Sequence, residues 1–96
     1  MGRFSLGEFE ELVLLAVCAL GEDAYGVSVK KLLAEQAHRE ATLGMVHGTL
    51  QRLQDKGYLT SHFGGATAAR GGRRKRLFRI TSGGQAAVQE ARDARR

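Results

Sequence analysis

The chain has no proline and a single cysteine, and no run of 18 uncharged apolar residues occurs in its 96 positions. Without proline, punctuation between elements falls to the 13 glycines and to capping side chains. One cysteine excludes an intrachain disulfide and a cysteine zinc site. The missing apolar run argues against a transmembrane helix, so no membrane partner is expected. Glu8, Glu10 and Glu11 stand where a signal peptide would be apolar, which points away from secretion and toward a cytoplasmic protein. A catalytic pattern is missing as well. His38, His47 and His62 fall on different predicted elements with no paired carboxylate or nucleophile nearby. No glycine-rich phosphate loop follows a strand, and no metal-ligand spacing occurs. The expectation is a protein that is not an enzyme and has no cofactor or metal.

Acidic residues are scarce toward the end of the chain. Residues 1–60 hold six Lys/Arg and eight Asp/Glu, a charge of −2, whereas residues 61–96 hold nine and two, a charge of +7. Eight of those nine basic residues are arginine, which suits bidentate phosphate and guanine contacts better than lysine. A polyanion partner is the simplest account of the asymmetry. The plainer alternative is a solvated, solubilising tail. A chain of this length suits one small domain that buries roughly two-thirds of its unfolded surface, so its core is thin and gains from subunit association.

Helical spacing predicts a first helix from about Gly7 to Leu20, stopped by Gly21. Phe9, Leu12, Val13, Ala16 and Leu20 form one stripe, and Leu14, Leu15, Val17 and Cys18 fill much of the remaining circumference. A helix apolar nearly all round must be covered on two sides, by a second subunit or by helices two and four together. Cys18 reads as a small buried apolar residue, with a redox-sensing thiol or a disulfide across a dimer axis as the rival readings. Asp23 is the expected cap of a second helix over about Tyr25 to Ala37, with Val29, Leu32 and Leu33 inward and Tyr25 as packing. Thr42 caps a third helix that ends near Lys56, with Gly57 as its stop. Val46, Leu50 and Leu53 point to its core, while Gly44, Gly48, Gln51 and Asp55 share the opposite face. Two glycines there weaken the helix by up to about 1 kcal/mol each; close approach of DNA would explain the cost, and the plainer alternatives are a tolerated weakness or a tight helix crossing.

Tyr58, Leu59 and Phe63 begin a strand, Leu77, Phe78 and Ile80 end the returning one, and GGATAARGGRR between them reads as a long hairpin loop. Thr81 caps a last helix with a weak stripe of Ala87, Val88, Ala91 and Ala94. The order helix, helix, helix, strand, strand, helix is mainly α with a two-stranded β-wing, that is, a winged helix-turn-helix whose third helix is the reader. Residues 1–81 make the winged helix domain, and residues 82–96 form a C-terminal helix assigned to dimerisation.

Four segments resemble the PadR family of transcriptional regulators in its short-chain form. They are GEFEELVLLAV, DAYGVSVKKLL, TLGMVHGTLQRLQDKGYL and GGRRKRLFRITSGGQAAV, and together they run through nearly the whole chain in order. The resemblance implies a homodimer that binds a palindromic operator in double-stranded DNA and usually represses transcription. It also implies that the first and last helices build the dimer, here through Phe4, Leu6, Phe9, Leu14, Leu15, Cys18, Val88 and Ala91. Some relatives bind a small aromatic effector between subunits near those helices; Phe4 and Phe9 lie nearest that surface and read as packing. His47 stands where the family usually carries a tyrosine that touches the DNA backbone.

The expected DNA contacts follow. Thr42 and Gly44 sit at a helix N-terminus that favours phosphate. His47 reaches a phosphate or base edge, Gly48 lets the helix sit deep, and Gln51 pairs with adenine, with Thr49 beside them. Thr49 and Arg52 are the weaker candidates for base contact, and Arg52 is assigned in preference to an intramolecular ion pair. In the wing, Arg70, Arg73, Arg74, Lys75 and Arg76 grip phosphate, and Arg73 suits a narrow minor groove. The rival is a winged helix module for protein or RNA contact, or for nonspecific DNA binding.

Overall fold

The computed structural model describes residues 6–64 and 75–94. Helix α1 spans Glu8–Leu20, α2 Gly26–Gln36, α3 Leu43–Asp55 and α4 Ser82–Ala94, with strands β1 (Leu59–Gly64) and β2 (Lys75–Ile80) between α3 and α4. The strands pair antiparallel, Leu59 opposite Ile80 and Gly64 opposite Lys75. This is the expected mainly helical winged helix-turn-helix, with each long element within a residue or two of its sequence-based bounds. A 3-10 turn at Gly21–Asp23 was not foreseen. It carries the chain to Ala24, whose carbonyl accepts a hydrogen bond from the Phe78 amide at 2.8 Å. That bond ties β2 to the start of α2.

The core draws on every long element. Val13, Leu14 and Val17 of α1 meet Val29 and Leu33 of α2 and Val46, Leu50 and Leu53 of α3, closed off by Leu59, Phe78 and Val88. Each fully buried leucine contributes roughly 1.5–3 kcal/mol by leaving water. The two-sided apolar character of α1 is resolved largely within one chain. Leu14 is fully buried and Val88 nearly so, which corrects their assignment to a dimer surface: both belong to the core. Cys18, in contrast, is exposed rather than buried. Leu6, Phe9, Leu15 and Ala91 are half-buried, and Phe4 lies outside the described residues.

Local chemistry sets the boundaries. Gly21 (φ +58°) stops α1. The expected Asp23 cap is replaced by Ser28, whose Oγ accepts from the Tyr25 amide and donates to the Asp23 carbonyl. A side chain three residues into the helix thus reaches back to satisfy a free amide, half of a capping box. Thr42 caps α3 as expected, its Oγ1 accepting from the Met45 amide at 3.0 Å. Gly57 (φ +84°) turns the chain into β1. Thr81 Oγ1 accepts from the Gly84 amide and donates to the Gly57 carbonyl, so one hydroxyl joins the end of α3 to the start of α4.

With Glu11 beside it, Glu10 is one of two buried carboxylates at the start of α1. Its Oε1 accepts from the Gly7 amide at 3.0 Å and from Lys56 Nζ at 2.9 Å, while Oε2 accepts from Arg52 Nε at 3.3 Å. Burial alone would push the carboxyl up, but the Gly7 amide, Lys56 and Arg52 outweigh it and hold it below the ordinary carboxylate value of 4.5. A lowered folded value means that this carboxylate stabilises the fold above that pH and that the contribution is lost as pH falls through the folded value. Wild-type melting temperature should therefore drop more steeply than that of Glu10→Gln on acidification from about pH 5 downward. Parallel curves would show that the clamp adds nothing to stability.

Candidate nucleic-acid interface

Helix α3 buries one face and bares the other because its apolar residues recur at three and four positions. Val46, Leu50 and Leu53 are fully buried. Gly44, His47, Gly48 and Gln51 are exposed, as is the capping Thr42. A β-carbon placed on Gly44 or Gly48 would meet nothing closer than 3.9 Å, and the nearest atoms belong to Thr42 and Arg52 of the same segment. A tight helix crossing therefore does not explain these two glycines; they look outward onto open space.

Thr49 departs from its expected place at the reading surface. It is only 1% exposed, and its Oγ1 accepts from Arg52 Nη2 at 3.1 Å. It faces inward because it lies three residues after Val46 and four before Leu53, on the covered side. Gln51 is exposed, and its Nε2 donates to Asp55 Oδ1 at 3.0 Å. That bond uses one amide hydrogen; a second amide hydrogen and the carbonyl oxygen remain, a donor and an acceptor of the kinds an adenine edge pairs with.

His47 meets a feature that periodicity did not reveal. The imidazole lies against Gly26 at the first turn of α2, where an added β-carbon would come within 2.5 Å of Cε1 and 2.6 Å of Nε2. The bare backbone of Gly26 thus seats the ring. Sequence reasoning also passed over Val27 and Met45, which are 53% and 52% exposed near the starts of α2 and α3. Exposed apolar side chains of this kind would suit thymine methyl groups of a duplex. The available signal was weak: each simply fell off its helix's core stripe.

The base of the wing is tied to the helices. Arg76 donates from Nε to Ser61 Oγ at 3.1 Å and from Nη2 to Gln54 Oε1 at 3.0 Å, and its guanidinium stands 5.1 Å from the centre of the Phe78 ring. It serves as a strap between β1, β2 and α3, which corrects its assignment as a free phosphate contact. Strand alternation turns it to the same side as Phe78. Lys75 sits on the other side, exposed, with Nζ 4.3 Å from the centre of the Tyr25 ring. Arg70, Arg73 and Arg74 lie outside the described residues.

The expected ion pair of Arg52 is present, with Glu10 as its partner. On α1, Phe9 is covered in part by the Arg39 guanidinium at 5.7 Å, and Arg39 also pairs with Glu8. None of the helices among the described residues is long and apolar enough to cross a membrane.

The fold is matched among known proteins. A PadR family transcription regulator from Clostridium difficile R20291 superposes with a TM-score of 0.76 at 20% identity, over 92% of this chain and 86% of that one. A PadR family transcriptional regulator from Eggerthella lenta gives 0.71 at 24% identity, over 91% and 75%. Bacillus subtilis PadR, solved in complex with operator DNA, gives 0.72 at 18% identity over 85% of this chain and 45% of that longer one. Among curated proteins none matches. The family model of PadR-like transcriptional regulators matches residues 14–90, from the middle of α1 to the middle of α4. The chain belongs to the PadR-like family of transcriptional regulators.

Proposed function

We propose that this protein binds a palindromic operator in duplex DNA as a homodimer and represses transcription by occupying it. The observation that carries the reading is the outward face of α3, where Gly44 and Gly48 open onto empty space beside exposed His47 and Gln51. A helix stripped of side chains on one face can lie deep in a major groove, which is about 12 Å wide. Thr42 and Gly44 offer the amide end of α3 to a phosphate, and Gln51 reads a base edge. The wing supplies Lys75, Arg70, Arg73 and Arg74 to the flanking backbone.

An apolar strip on α1 supports the homodimer on physical grounds. Leu12 and Leu15 are half-buried and Cys18 is exposed along one side of α1, an apolar strip that a second copy would cover together with Ala91 of α4. A shallow groove of about 240 Å³ lined by Glu8, Glu11, Leu12 and Leu15 adjoins that strip, and an aromatic effector held between subunits would sit there. Two readers related by a twofold axis then face successive turns of the duplex.

Selection of bound sites from random duplexes tests the proposal, with an inverted repeat of half-sites about one helical turn apart as the expected product. Enrichment of no sequence would reduce the protein to a nonspecific binder. Replacing Arg73 and Arg74 together with alanine should weaken binding to every duplex and flatten the dependence of log K on log salt by about 2 units. An unchanged slope would remove the wing tip from the contact.

A further inference from the structure

We propose that Arg52 is a further specificity-determining residue, a guanidinium fixed from behind by Glu10 and Thr49 so that its remaining edge reads guanine. The inference rests on the reading of α3 as the DNA-facing helix. Arg52 lies one turn beyond Gly48, and helical side chains lean toward the N-terminus, so its head returns over that glycine. Nη1 stands 4.0 Å from the point a β-carbon on residue 48 would occupy. Because residue 48 has no side chain, the guanidinium is left uncovered on the outward face, and the Arg52 side chain is 58% exposed.

The other edge is fully engaged. Nε donates to Glu10 Oε2 at 3.3 Å and Nη2 to Thr49 Oγ1 at 3.1 Å. Two of the five guanidinium hydrogens are thus held, and three, on Nη1 and Nη2, remain for a partner outside the chain. Among the described residues Nη1 has no acceptor. An end-on Nη1/Nη2 pair matches the O6 and N7 acceptors of guanine in the major groove. Glu10 is itself rigid, its side chain 12% exposed and its other oxygen bonded to the Gly7 amide and to Lys56. A flexible arginine would lose rotamer freedom on binding; one already ordered by a buried carboxylate loses less. Glu10 and Thr49 are positioning residues, and Arg52 is the group that touches the base.

Site selection from random duplexes with the full chain tests this, comparing wild type with Arg52→Lys, Glu10→Gln and the double variant. Lysine keeps the charge but loses the fork, so preference at one guanine position per half-site should fall about tenfold, with the other positions and the salt slope retained. Glu10→Gln should relax the same position, and the double variant should be no worse than Arg52→Lys alone. An Arg52→Lys profile identical to wild type overturns the inference while leaving the operator reading intact. So does a uniform loss at all positions in both single variants, which marks a purely structural ion pair. A wild type with no positional preference overturns the operator reading and this inference together.

Discussion

Replacing Gly84 with alanine should cost the fold about 2 kcal/mol, whereas the same change at its neighbour Gly83 should be neutral or stabilising. Both glycines lie in the first turn of α4, where alanine is normally the better helix former by up to about 1 kcal/mol. The difference is what each would touch. A β-carbon at Gly84 would run into the Tyr58 carbonyl oxygen and stand 2.7 Å from Ile80 Cγ1. The carbonyl cannot withdraw cheaply, because it accepts the Thr81 amide at 3.0 Å, and Thr81 in turn holds Gly57 and Gly84. Relief therefore means lifting α4 off Tyr58 and the end of β2, and with it Ala87 and Val88 from the core. At Gly83 the nearest atoms stand 3.6 Å away, an ordinary contact. Thermal unfolding should show a fall of roughly 10 °C for Gly84→Ala, since each kcal/mol moves the midpoint by about 4–8 °C in a domain of this size. Equal midpoints for the two variants would show that α4 is not pinned at this point.

That contact also shows where the sequence stopped being informative. The Thr-x-x-Gly start of α4 was legible as a cap, because capping is a local matter of three residues. That Gly84 exists for a carbonyl 26 positions earlier was not, since no local pattern carries a long-range close approach. The same division runs through the rest of the chain. Val46, Leu50 and Leu53 were placed correctly by spacing alone, as were Thr42 and Gly57 at the ends of α3. Thr49 departs from the reading surface because helical phase outweighs hydroxyl polarity: its place three residues after Val46 and four before Leu53 decides its burial. Leu14 and Val88 were assigned outward because an apolar helix surface does not say which chain covers it. Glu10 counted in the sequence only as a charge unsuited to a signal peptide. Its partners, Arg52 and Lys56, lie 42 and 46 residues away, and only the packing of α1 against α3 brings them together. Arg76 looked like one more cation in a basic run, and the register that turns it toward Gln54 follows from the strand pairing.

Side chains introduced at Gly48 should strengthen the fold and weaken its proposed function, a pairing of opposite signs that few positions in so small a protein can give. Gly48 sits mid-way along a 13-residue helix, and a β-carbon there meets only Arg52 Nη1 at 4.0 Å. Gly48→Ala should therefore gain up to about 1 kcal/mol and raise the melting midpoint by roughly 4–8 °C. Gly48→Leu should keep most of that gain, because leucine is nearly as good a helix former and has room in solvent. Affinity for the selected operator should move the other way. A leucine projecting several ångströms from the surface meant to lie in the groove holds the helix off the bases and costs at least tenfold, about 1.4 kcal/mol. Alanine should cost less than leucine, so the loss grows with side-chain size while stability stays high. A surface that only needed helical order would show the reverse, with both variants binding as well as or better than wild type. Such a result would move the DNA contact away from the Gly44–Gly48 face, and the burial of Val46, Leu50 and Leu53 leaves α3 no second open face from which to read.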